Sequence, residues 1–161
     1  MQKELRVGIG YDSHPLVSGR ALVLGGVHIP HGKGLSGWSD ADVATHAIID
    51  ALCGAADLGD IGRLFPAGDA EYRSISSLLL LSKTGELLRA GGFVVVNVDA
   101  TIIAQEPRVA PFVDEMRKLI ARALEIEPSR VTIKSTTTNG LGSVGREEGI
   151  AAQAVALISQ T

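Results

Sequence analysis

The chain has 161 residues, 45% of them hydrophobic and 20% charged, a balance expected of one globular domain whose core needs no disulfide or metal staple. A net charge of −3 with no basic run argues against nucleic acid as a partner, and no apolar run reaches the ~18 residues of a membrane helix. The single cysteine, Cys53, excludes an intrachain disulfide and fits a reducing compartment, and aromatics at 4% leave the core to Val, Ile, Leu and Ala.

Residues 1–10, MQKELRVGIG, carry charge and no long apolar run, so no signal peptide is expected. Residues 5–11 predict a strand. Residues 21–30, ALVLGGVHIP, predict a second strand, or a hairpin broken at Gly25 and Gly26. A glycine-rich loop fills 31–39. Val43, Ala47, Ile48, Ala51, Leu52 and Ala55 recur at helical spacing within 42–59, with Ser39 or Asp40 to cap the start and Gly59 to end it. A long loop, 60–72, precedes a second helix stopped by Gly91 and Gly92. Residues 94–105 are rich in β-branched side chains and predict a strand. A third helix follows over 110–126, with Pro111 in its first turn. Residues 131–138 predict a strand, and 139–149 a third loop. The segment 149–159, GIAAQAVALIS, is ambiguous: its alanines favour helix, while apolar character on both faces suits a buried strand, the preferred reading. No repeat or linker interrupts this small α/β domain over 1–161.

Asp12 and His14 stand two apart in GYDSHPL, so on a strand both leave one face with Cβ atoms ~6–7 Å apart, close enough to share an ion. Two ligands do not fill a site, and two polar residues at a strand end that meet only water are the plainer alternative. His46 changes this. It lies one turn into an otherwise apolar helix, with Asp42 and Asp50 four residues away on either side and on its face. Asp12, His14 and His46 would make a three-ligand site with an open fourth position, the pattern of catalytic zinc, though manganese or cobalt also suit it. Thr136, Thr137 and Thr138 bring hydroxyls and backbone N–H groups that suit phosphate, or are simply strand-forming threonines. The loops 60–66 and 104–111 offer backbone groups to a ligand or merely connect. Arg146 meets an anion or pairs with Glu147 or Glu148. Trp38 packs on the core or lines a pocket. Cys53, inside an apolar helix, reads as buried rather than nucleophilic. Walker, dinucleotide and nucleophile-elbow fingerprints are missing. The residues describe a metal-assisted site with phosphate-binding features.

GYDSHPL, GWSDADVATHAIIDAL, GDIGRLFP, VDATIIAQEPRVAP and KSTTTNGLGSVGREEGI, in this order, resemble the 2-C-methyl-D-erythritol 2,4-cyclodiphosphate synthase family over essentially the whole chain. The resemblance implies an α/β fold of the α+β type: a mixed sheet of about four strands with three helices on one face, 149–159 being a strand. It implies a homotrimer with active sites between subunits. Zinc, or another divalent transition metal, would sit on Asp12, His14 and His46. A second divalent ion, Mg2+ or Mn2+, would accompany the substrate diphosphate. The substrate would be 4-diphosphocytidyl-2-C-methyl-D-erythritol 2-phosphate, cyclised with loss of CMP. The family's substrate loops map to Ser39, to Asp60, Ile61 and Gly62, and to Phe65, Pro66, Ala67, Gly68 and Asp69. Ala104, Gln105, Glu106, Pro107, Arg108, Val109 and Ala110 would form the cytosine pocket. Thr136, Thr137, Thr138 and Asn139 would meet the phosphates, Thr137 and Trp38 stabilising the transition state. Ser143 and Arg146 would lie near the trimer axis, where the family can bind an isoprenoid diphosphate.

Two positions depart from the family pattern. It often has a histidine at Trp38, and an indole offers one N–H and no charge. It often has a glutamate at Asn139, and an amide should hold the second ion more weakly. Two other readings stay open: a zinc phosphohydrolase with Asp42 or Asp50 as base, and a non-catalytic module for a nucleotide or isoprenoid phosphate. The expected compartment is the bacterial cytoplasm, or the plastid stroma after removal of a transit peptide.

Overall fold

A computed structural model describes residues 4–161; residues 1–3, the start of the stretch read for a signal peptide, lie outside it. The chain begins with β1 (Leu5–Ser18). A tight hairpin follows, β2 (Leu22–Leu24) and β3 (Val27–Ile29), turning at Gly25 and Gly26 with φ of 56° and 79°, a region that favours glycine. Then come β4 (Lys33–Leu35), α1 (Val43–Ala55), α2 (Ile61–Leu64) and α3 (Ser77–Ala90). The remaining elements are β5 (Phe93–Ile103), α4 (Val113–Leu124), β6 (Val131–Thr136), α5 (Gly142–Gly145) and β7 (Gly149–Gln160).

The main sheet runs β4-β1-β7-β5-β6. β7 is antiparallel to both β1 and β5, and β6 is parallel to β5, so the sheet is mixed. Strand alternation divides it into two faces. Val98, Ala100 and Ile102 of β5 and every second residue of β7 from Ile150 to Ile158 are buried beneath α1, α3 and α4. On the opposite face, Leu5, Val7, Ile9 and Tyr11 of β1 are between 57% and 67% exposed, an apolar surface without cover from the chain itself.

The expected architecture holds, with five strands in the main sheet once β4 is counted. β1 runs on to Ser18, so Asp12 and His14 lie within a strand, not at its end. The 21–30 segment takes the hairpin form. Asp42 caps α1, in place of Ser39 or Asp40, accepting from the Thr45 N–H at 3.0 Å, and the helix stops at Ala55. The loops 60–72 and 139–149 each contain a four-residue helix. No helix among the described residues is long and apolar enough to cross a membrane.

Candidate active site

The site begins with two glycines. A Cβ on Gly8 or Gly10 would lie 1.9 Å from the carbonyl oxygen of Ala51 or Ala47. Bare backbone there lets α1 rest directly on β1. Asp12 and His14, next on the same strand face, therefore meet His46 from the helix. The Asp12 Oδ2 stands 3.1 Å from His14 Nε2 and 3.0 Å from His46 Nδ1.

Hydrogen bonds fix which nitrogens carry protons. His14 Nδ1 donates to the Ser36 carbonyl at 2.8 Å, which leaves Nε2 toward Asp12. Ser77 gives its hydroxyl proton to the Asp40 carboxylate, whose other oxygen accepts the Ser77 N–H at 3.0 Å. The Ser77 oxygen then accepts from His46 Nε2, 2.8 Å away, with the Ser39 hydroxyl oxygen 3.2 Å from the same nitrogen, which leaves Nδ1 toward Asp12. Two ring lone pairs thus converge on one carboxylate oxygen, an arrangement that calls for a cation or a proton between them. Burial alone would raise the Asp12 carboxyl; the two imidazoles overcome this and hold it at about 2. The hydrogen bond to Asp12 raises His14 against its burial. Two imidazoles and an ionised carboxylate, all within 4.8 Å, could hold a divalent metal ion.

A cavity of about 200 Å³ opens over this cluster. It gathers Trp38, Ser39, Ile61, Gly62, Phe65 and Ala67 from the expected residues. Tyr72 and Leu80 line it too, and sequence spacing did not point to either. Asp60 caps α2, accepting from the Arg63 N–H at 2.8 Å, and Asp50 fixes the same helix through the Ile61 N–H at 2.8 Å. The carbonyl of Asp69 accepts the indole N–H of Trp38 at 2.9 Å. Pro66 and Gly68 lie between these points.

A second cavity, about 340 Å³, is lined by residues 104–110 with Ser135, Thr136 and Thr137. The Thr138 hydroxyl donates to the Leu141 carbonyl at 2.7 Å. Asn139, with φ of 55°, is exposed and its N–H donates to the Thr137 hydroxyl at 3.1 Å. Ser143 borders a third cleft, about 220 Å³, beside Tyr11 and Glu148. Arg146 pairs with Glu148 at 3.1 Å.

Three other residues resolve by contact. Asp42 is fully buried, and its carboxylate accepts from the N–H groups of Gly25, Gly26 and Thr45 and from the Thr45 hydroxyl. It ties the hairpin to α1 and does not serve as a base. Burial, then the charges of Asp50 and Asp60, push the Cys53 thiol up to about 12, so no thiolate forms near neutrality. Lys134 turns to Asp99 on the sheet face away from the helices.

Fold and site define an α+β protein with a two-histidine, one-carboxylate cluster, able to hold a metal ion, where a strand meets a helix. The chain belongs to the YgbB family, which matches residues 5–159. The 2-C-methyl-D-erythritol 2,4-cyclodiphosphate synthase of Pelotomaculum thermopropionicum is 57% identical over 157 residues, 98% of this chain and 97% of that protein. Among solved structures, IspF of Plasmodium falciparum in its CDP complex is similar with a TM-score of 0.86 at 30% identity, over 100% of this chain and 99% of that one. The bifunctional IspDF from Campylobacter jejuni is similar with a TM-score of 0.95 at 37% identity, over 99% of this chain and 43% of that longer one.

Proposed function

We propose that the chain is a 2-C-methyl-D-erythritol 2,4-cyclodiphosphate synthase, a phosphorus–oxygen lyase of isoprenoid precursor synthesis. It cyclises 4-diphosphocytidyl-2-C-methyl-D-erythritol 2-phosphate. An oxygen of the 2-phosphate bonds to the β-phosphorus, the bond from that phosphorus to the oxygen bridging to the α-phosphate breaks, and CMP leaves with the electron pair. The observation that carries this reading is the Asp12–His14–His46 cluster flooring a cavity in a chain matched along nearly its whole length by synthases.

Asp12, His14 and His46 would hold zinc, which when bound would polarise the β-phosphate, and Mg2+ or Mn2+ would screen the diphosphate. The nucleophile is already an anion, so no strong base is required of the protein. Its work is to hold both ends of one substrate, which supplies proximity. Ser39, Ile61, Gly62 and residues 65–69 enclose the methylerythritol phosphate. Residues 104–110 receive cytosine through backbone groups. Thr136 and Thr137 donate to the phosphates as charge develops. Thr138 and Asn139 shape the turn that carries them.

We also propose the homotrimer, with 1–161 as one catalytic domain per subunit. Asp12 and His14 face the helices, whereas Thr136, in register with Ile103 and Ala151, faces the other way. Three strand spacings, ~14 Å, also separate them across the sheet. One substrate cannot reach both groups in one chain, but it can where two copies meet. The uncovered apolar face of β1 supplies the contact. Ser143 and Arg146 would then approach the threefold axis, where an isoprenoid diphosphate could bind. A cytoplasmic setting completes the reading.

Phosphorus NMR of the substrate incubated with protein, zinc and magnesium tests it. Cyclodiphosphate with CMP is the expected outcome. A linear product would mean hydrolysis, and unchanged substrate with a verified zinc-loaded trimer would mean a binding module.

A further inference from the structure

Trp38 lies between β4 and α1 and walls the metal-bearing cavity. An indole has one N–H and no acceptor. That N–H is used: it donates to the Asp69 carbonyl at 2.9 Å. The Trp38 carbonyl accepts from the Ser74 N–H at 2.8 Å, and the Asp40 N–H donates to the Ile75 carbonyl at 3.1 Å. The Arg73 guanidinium lies 5.9 Å from the ring centre. Arg20 donates to the carbonyls of Gly37 and Ser39, at 3.3 and 3.0 Å, the residues on either flank of Trp38 in the chain. The ring is therefore fixed at both neighbours, at its own carbonyl and at its edge.

Residues 65–69 form no helix or strand, and Gly68 has φ of 92°. Their own contacts are local: Phe65 packs edge-on against Tyr72 with ring centres 5.5 Å apart, and the Asp69 carboxylate accepts from the Glu71 N–H at 3.0 Å. Among the described residues, the indole N–H is the one hydrogen bond that joins them to the loop bearing Ser39. We infer that Trp38 is a positioning residue, a latch that holds residues 65–69 across the mouth of the cavity, and that its N–H does not serve the reacting phosphates. The inference rests on the synthase reading for its kinetic consequence and on this geometry alone for its structural one.

Trp38→Phe keeps an aromatic ring and removes the N–H, at a position 40% exposed. One lost hydrogen bond of this kind should raise KM about threefold to tenfold. The kcat should stay within about twofold, because the interaction is made equally in ground and transition states. Amide hydrogen exchange across 67–69 should quicken in the variant. A kcat about 100-fold lower at constant KM, with exchange unchanged, would assign the N–H to the phosphates and overturn the latch. Kinetics and exchange both unchanged would overturn it too. A wild-type protein that forms no cyclodiphosphate would sink the synthase reading alone, since exchange reads the latch without turnover.

Discussion

A histidine that is to bind a cation must keep one nitrogen bare, and for His46 this falls chiefly to Ser77, 2.8 Å from Nε2, with Ser39 at 3.2 Å. Ser77 has a single proton and spends it on Asp40, so it faces the imidazole only as an acceptor. Outer partners of this kind typically govern metal affinity as well as ring orientation. Ser77→Ala should weaken zinc binding about 10- to 100-fold, and Ser77→Thr should restore most of it, both measurable by chelator competition. The three ligands themselves were legible in the sequence because two simple periods place them: i and i+2 on a strand, and one turn into an apolar helix. Ser77 and Asp40 were not, because they meet His46 and each other across 31 and 37 residues, a span no local period encodes. The engagement of Trp38 by Asp69, 31 residues on, was hidden for the same reason.

Among the elements, the contact of α1 with β1 decides whether the ligands converge. Gly10→Ala would place a methyl 1.9 Å from the Ala47 carbonyl oxygen, a backbone atom that cannot swing aside. The helix must back away, so the variant should lose about 1–3 kcal/mol of stability in urea unfolding. Its zinc affinity should fall in the same titration series, since His46 retreats from Asp12. The pattern of elements was largely readable from periodicity. The exceptions have physical causes. The apolar alternation of β1 ends at Tyr11, and the polar Asp12, Ser13 and His14 with Pro15 give its second half no strand pattern, yet Pro15 keeps its place opposite Gly149. β7 was ambiguous because its alternation is masked: alanines pack under α1 on one side, while Val155 and Leu157 face the uncovered surface on the other. β4, α2 and α5, at three or four residues each, are too short to show a period.

For the whole molecule, the uncovered face of β1 is the feature with the widest reach. Ile9, 67% exposed in the single chain, stands in the middle of it. Ile9→Glu would bury a carboxylate in the proposed trimer contact, and desolvating an unpaired charge there is prohibitive. The variant should sediment as monomer, retain its far-ultraviolet circular dichroism and lose turnover; a trimer that survives the substitution would place the contact elsewhere. The position of β7 carries a separate consequence, for folding kinetics. β1 and β5 are paired only through β7, and Leu5 finds its partner at Ser159. As the chain emerges from the ribosome, the first strand has no long partner until the seventh is made. Such non-local pairing folds slowly, and an unpaired apolar strand is prone to aggregate meanwhile. The 12 residues of β7 thus act as a keystone: the nascent chain stays two unfinished half-sheets until they arrive.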